Sequence, residues 1–152
     1  MQKLSEIVAK AKSLGKRVRI AVALAEDTNT IGAIRRAAEE SFAYPILIGD
    51  KKRITQLLNE YPISSGTYEI IDIPDADKAT REAVRLVKAG EAEVLMKGLV
   101  GTDKFLREVL SKERGLLPPK AVMSYTCALE LPGYSKLLLI SDTAVLPYPD
   151  LE

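Results

Sequence analysis

Apolar residues recur along this chain in two periods, and the switching between them predicts the fold. Leu4, Ile7, Val8, Ala11 and Leu14 keep the spacing of one helix face, and Gly15 follows as a stop. Arg17 to Ala25 alternates at first and then turns wholly apolar, the pattern of a strand covered on both sides. Glu26-Asp27-Thr28-Asn29 supplies cap residues for a helix carrying Ile31, Ile34 and Ala38, with Glu26 and Asp27 read as a capping pair. Pro45 to Ile48 is the next strand, and Gly49-Asp50 opens a helix bearing Ile54, Leu57 and Leu58. Tyr68 to Ile73 is a third strand. Pro74-Asp75 then starts a helix with Val84 and Val87 on its inner face and Gly90 at its close. Glu93 to Met96 is a fourth strand.

Strand and helix alternate with connections of a few residues, the signature of an α/β fold: three layers, a mostly parallel sheet, helices on both faces. Ligands of such sheets bind beyond the carboxyl ends of the strands. The first strand ends in Glu26-Asp27 and the fourth in Lys97-Gly98, so both turns belong to one rim. Neither turn has GxGxxG or Walker A spacing, and the acidic first turn would repel a pyrophosphate. Past Leu110 the pattern changes. Lys112-Glu113-Arg114-Gly115 ends a helix and Pro118-Pro119 forbids its continuation. Ala121 to Glu130 and Lys136 to Val145 read as two strands of a β-hairpin, joined by Leu131-Pro132-Gly133-Tyr134-Ser135. The expected division is an α/β domain over residues 1–120 and, over 121–152, a hairpin and the start of a connection to a second domain.

Composition narrows the function. A net charge of +1 offers no basic face for nucleic acid. No apolar run approaches the ~18 residues of a membrane span, and the amphipathic N-terminus with Glu6 does not read as a secretory signal. Cys127 is the single cysteine, which rules out an internal disulfide and fits a reducing cytoplasm. There is no histidine, which excludes Ser-His and Cys-His pairs and the common histidine metal sites; no metal is expected.

Candidate chemistry gathers in EVLMKGLVGTDKFLREVL, Glu93 to Leu110. Lys97-Gly98-Leu99-Val100-Gly101 breaks the strand with two glycines, where the chain turns sharply or approaches something closely. Thr102 suits a helix N-cap, and Phe105, Leu106, Val109 and Leu110 form an apolar stripe behind it. Unpaired N–H groups and the positive end of a helix dipole face the same opening, where Lys97 stands at the mouth. Arg107, one turn further on, leans back toward it. The stretch reads as an anion site; it reads also as an ordinary junction whose dipole Asp103 complements.

AEDTNTIGAIRRAAEE with PILIGDKKRI, LMKGLVGTDKFLREVL and LLISDTAVLPYPDLE together resemble the phosphate acetyl/butyryltransferase family, most nearly its phosphate butyryltransferases. The resemblance spans Ala21 to Glu152 and covers only the family's first half. It implies the first domain of a fold like that of isocitrate and isopropylmalate dehydrogenases, with an active cleft between two domains. It implies acyl transfer between coenzyme A and phosphate, with acyl-CoA as substrate and no permanently bound cofactor. By this likeness Arg107 faces the cleft and contacts ligand phosphate, and Lys97, Gly98 and Thr102 match the loop before it; Gly101 joins them as a candidate phosphate- or coenzyme A-binding residue from the reading of the turn itself. Ser124 and Asp142 match positions where strands near the cleft and are the candidates for a catalytic role. The family's C-terminal serine, arginine and acidic residues have no counterpart here, so this chain alone is expected to be inactive. The acyl pocket should draw on the other half, which leaves acyl length open.

Other readings stand beside this one. Cys127 fits a small buried hydrophobe, Ser124 a hydrogen-bonded strand residue and Asp142 a turn residue. A receiver-like phosphoacceptor module would need Glu26, Asp27 and Asp72 to converge, with Lys97 near them; a non-catalytic folded fragment needs neither arrangement. The apolar run Leu137 to Ile140 calls for cover on both faces, so the expected assembly is a homo-oligomer, or a partner supplying the missing second half.

Overall fold

The computed structural model describes residues 3–63 and 68–142. The chain forms two compact units, Lys16–Leu116 and a second in which Met1–Gly15 joins Leu117–Glu152. In chain order the elements are α1 (Leu4–Ser13), β1 (Val18–Ala23), α2 (Thr28–Glu39), β2 (Ala43–Gly49), α3 (Lys51–Glu60), β3 (Glu69–Asp72), α4 (Ala76–Lys88), β4 (Val94–Lys97), α5 (Thr102–Val109), β5 (Thr126–Leu129) and β6 (Leu138–Ser141).

The unit Lys16–Leu116 is the expected three-layer sandwich. Its four strands lie in the order β3-β2-β1-β4, every neighbouring pair parallel. Successive strand residues point to opposite faces, which divides the core in two. On one face Ala21, Ala23, Ile46 and Ile48 meet Ala79, Ala83 and Leu86 of α4, with Phe105 of α5 packed alongside. On the other, Val22 and Leu47 meet Ile31, Ile34 and Ala38 of α2 and Ile54 and Leu58 of α3. Val18 of β1 sits opposite Ala43 of β2, and Ile20 opposite Val94 of β4.

Local chemistry sets the element ends. Asp27, Asp50 and Asp75 each accept a backbone N–H of the turn they open: Thr30 at 2.9 Å, Lys52 at 2.8 Å and Lys78 at 2.8 Å. β1 stops two residues short of the apolar run because Leu24 turns into the left-handed region, φ 60°, while its side chain stays buried. At the foot of the sheet Glu93 clamps β1 to β4. Its carboxylate accepts from the Arg19 backbone N–H at 2.8 Å, and its own N–H donates to the Arg19 carbonyl.

In the second unit α1 forms as its periodicity requires, yet none of its residues is buried. The amide of Leu4 at its start donates to the Glu130 carboxylate at 2.9 Å. β5 and β6 make the expected antiparallel hairpin, with Cys127 opposite Ile140. β5 is shorter than its apolar run predicts, and β6 begins two residues later than expected, at Leu138. A left-handed Lys120, φ 65°, after Pro118 and Pro119 breaks the approach to β5, and Asp142 takes φ 56° after β6. The Tyr134 N–H donates to the Leu131 carbonyl across a tight turn in which Gly133 takes φ 81°, a conformation that suits glycine. The predicted strand residues from Thr143 to Val145 lie outside the described residues. Among the described residues no helix is long and apolar enough to cross a membrane.

Candidate functional site at the turn between β4 and α5

Lys97 is the last residue of β4, paired with Ala23, rather than the first of the turn. The ladder carries on past it: the Gly98 N–H donates to the Ala23 carbonyl and the Leu99 N–H to the Leu24 carbonyl, each at 2.9 Å. This contact explains Gly98. A Cβ there would lie 2.3 Å from the Leu24 oxygen and 2.8 Å from the Ala23 oxygen, so only glycine lets the turn lie against the end of β1. Val100, which the sequence placed in an open turn, is buried and anchors it in the core. The turn is thus held by backbone bonds to the end of β1 as well as by its own strand.

The helix opens one residue earlier than expected. Gly101 is the N-cap and Thr102 the first helical residue, with no side chain capping the end. Asp103 takes that place by charge. Its Oδ1 lies 2.8 Å from where a Cβ of Gly101 would be, so the carboxylate folds back over the cap. Arg107 points the same way, with Nη2 3.8 Å from Asp103 Oδ2. The Lys97 ammonium rests 3.3 Å from the Gly98 carbonyl. Both cations are exposed and are held at this one junction, Lys97 at the strand end and Arg107 through Asp103 above Gly101. The predicted stripe behind it is only partly realised: Phe105 packs on the core, Leu110 is exposed, and Glu108 is buried instead. Arg81 and Arg114 both reach Glu108, which is why it tolerates that position.

The rim acids do something the sequence did not disclose. Glu26 and Asp27 cap different helices: Asp27 serves α2, while Glu26 accepts the Asp50 N–H at 2.7 Å and faces Arg53 at 3.7 Å. Gly49, φ 155°, has no Cβ to strike that buried carboxylate. Asp72 accepts the Lys51 N–H at 3.0 Å. Each acid is committed to a separate backbone amide, and among the described residues no three of them gather to hold a metal. The receiver reading therefore finds no support. Beside these acids a cavity of about 350 Å³ is lined by Glu26, Asp27, Thr28, Arg53, Gln56 and Leu57.

In the second unit Ser124 is exposed just before β5. Asp142 extends the hairpin ladder, donating its N–H to the Tyr125 carbonyl at 2.7 Å and accepting the Tyr125 N–H on Oδ1 at 3.2 Å. Cys127 is half-buried, and its hydrogen bond with the Tyr125 hydroxyl raises that phenol above its ordinary range.

An open parallel sheet with a glycine-bearing, cation-flanked turn at its carboxyl rim has the layout in which α/β domains commonly place their ligands. Residues 3–84 match the family described as phosphate acetyl/butaryl transferase, and the chain belongs to that family. It is 41% identical over 147 residues to the phosphate butyryltransferase of Clostridium beijerinckii, covering 97% of this chain and 48% of that protein. It is 37% identical over 152 residues to the phosphate butyryltransferase of Clostridium acetobutylicum, covering 100% of this chain and 50% of that one. Among solved structures a phosphotransacetylase from Streptococcus pyogenes has the same fold, with a TM-score of 0.65 at 18% identity over 84% of this chain and 47% of its own. The chain spans about half the length of the curated relatives it matches, as the resemblance implied.

Proposed function

We propose that this chain forms one half of a phosphate acyltransferase that moves a short acyl group, butyryl by its likeness to two clostridial phosphate butyryltransferases, between coenzyme A and inorganic phosphate. Lys97, Gly98, Gly101, Thr102 and Arg107 hold a phosphate, of the substrate or of coenzyme A. The observation that carries this reading is the likeness to two phosphate butyryltransferases along essentially the whole chain. The cation-flanked turn between β4 and α5 supports it.

The chemistry suits the residues. A phosphate oxygen attacks the thioester carbonyl, negative charge builds on the carbonyl oxygen, and the tetrahedral adduct expels coenzyme A as its thiolate. Arginine, lysine and backbone N–H groups position the dianion and offset the developing charge, and no histidine or covalent intermediate is needed. Cys127 has no part in it. The acyl-CoA and phosphate are substrates, no permanently bound cofactor is required, and the cytoplasm, where such substrates are made, is the expected place of work. The facing wall is supplied by a partner that carries the remaining half of the family's length.

Binding tests this directly. Coenzyme A should bind saturably in the millimolar range, and Arg107→Ala should weaken it about tenfold, the scale of one charge-assisted contact. Thiol release from butyryl-CoA with phosphate should stay near background for these residues alone. Absence of saturable coenzyme A binding overturns the reading. Turnover comparable to a full-length relative would instead show that the essential chemistry lies wholly within this half.

A further inference from the structure

A second group of cations stands apart from the turn. Arg81, Arg85 and Lys88 lie on one face of α4, and with Glu82, Glu113 and Arg114 they line a cavity of about 350 Å³. Arg85 is already saturated: Glu82 takes its Nε and Nη2 at 2.9 and 2.8 Å, and Glu91 takes Nη1 at 2.8 Å. The other three are not. Arg81 and Arg114 come from different segments and share one carboxylate, the buried Glu108, at 3.3 and 3.7 Å. The oxygen facing Arg114 accepts no hydrogen bond. Lys88 donates to the Glu113 backbone carbonyl at 2.8 Å and has no ion pair among the described residues.

The backbone is built to put Arg114 there. Gly115 sits where a Cβ would lie 2.3 Å from the Val109 oxygen, and Gly115 and Leu116 donate back to Ser111 and Val109 at 2.8 and 2.9 Å. The tight return carries Arg114 to within 3.7 Å of Glu108 and into the cavity that Lys88 also lines. A clasp between α4 and α5 would need only Arg81 and Glu108. The geometry goes further, setting two guanidiniums around one carboxylate and adding an ammonium that makes no ion pair among the described residues, in a cavity that Glu82 and Glu113 also line.

We propose that this pocket is an anion site, distinct from the turn between β4 and α5, that takes a phosphate group either free or on a small ester. Forked guanidiniums and a point-charge ammonium converging from two segments suit a tetrahedral dianion. The cavity, at the small end of ligand-site volumes, has room for such a group with a modest substituent.

Backbone amide shifts test it, with inorganic phosphate, adenosine 5′-monophosphate, adenosine and sodium chloride at matched ionic strength as four separate titrants. The amides of Arg81 to Lys88 and Ser111 to Gly115 should shift saturably with one or both phosphates and not with adenosine or chloride. A response to phosphate itself marks the free ion as sufficient, and a response to the monophosphate alone marks an ester. Lys88→Gln, which leaves the Glu108 cluster intact, should weaken the response about fivefold, and Arg114→Gln at least as much. No saturable shift, an equal shift with chloride, or unchanged binding in a folded Lys88→Gln variant overturns the proposal. Amides from Lys97 to Asp103 report the other site separately, so failure at one leaves the other standing.

Discussion

Arg107 and Asp103 face each other one helical turn apart on α5, with Nη2 3.8 Å from Oδ2 and both side chains about three-quarters exposed. The pair keeps the guanidinium on the side of the helix start, and a phosphate held at this turn as proposed would compete with the Asp103 carboxylate. Asp103→Asn should therefore tighten phosphate binding about two- to fivefold, since an exposed pair of this kind is worth roughly 0.2–1 kcal/mol. A phosphate titration of the variant measures it, and weaker binding would mean that Asp103 helps to build the site.

The two glycines of the turn should respond differently to alanine. A Cβ at Gly98 meets backbone oxygens of β1, which cannot move without opening the sheet. Gly98→Ala should cost about 2 kcal/mol or more, the scale of overpacking a rigid site. A Cβ at Gly101 meets only the end of the Asp103 side chain, which can swing away. Gly101→Ala should cost less than about 1 kcal/mol. Urea midpoints of the two variants decide, and equal losses would contradict the close approach of Gly98 to Leu24.

This contrast shows what could be read from the sequence. The alternation of periods was enough for the three layers, because strands and helices that bury apolar faces must repeat at two residues or near 3.6. The glycines of the turn were legible as a close approach, but not that Gly98 approaches Leu24, because that depends on register between strands far apart in sequence. Glu26 was misread for the same reason. It stands beside Asp27 in the chain, yet its partner is the Asp50 amide across the sheet rim. Thr102 lost the cap because Gly101 adopts the extended cap conformation and Asp103 folds over it. Burial of Glu108 left no sequence signal, since it rests on cations from α4 and from the turn after α5.

Stability in acid should report the clamp at the foot of the sheet. The Arg19 backbone N–H, and then the Arg19 and Lys16 charges, hold the Glu93 carboxyl below its ordinary range; Arg85 does the same for Glu91. A carboxyl lowered by folding stabilises fully above its unfolded pKa of about 4.3, and that contribution is lost as pH falls through the lower folded value. Glu93→Gln should thus be less stable than the parent at neutral pH and converge with it in acid. Urea unfolding at stepped pH checks this, and a constant difference down to the lowest pH would show that Glu93 acts by packing alone.

Self-association is expected through the second unit. Val122 and Leu139 are 70% and 68% exposed, and the α1 residues Leu4, Ile7 and Leu14 are exposed as well. β6 carries neither charge nor proline to discourage a neighbour, and a two-stranded sheet is marginal by itself. Light scattering at micromolar concentration should give a mass above 16.6 kDa, and Leu139→Lys should return it toward that value. A strictly monomeric parent would show that this surface needs no cover.

If the turn between β4 and α5 holds phosphate for an acyltransferase half, a titration of the whole chain with inorganic phosphate should register at the amides of Gly98, Gly101 and Thr102. Saturable shifts are expected at all three, with a millimolar midpoint that Arg107→Ala raises about tenfold. Silence at these amides, or an Arg107→Ala titration that overlays the parent, would rule out a phosphate-holding role for this turn.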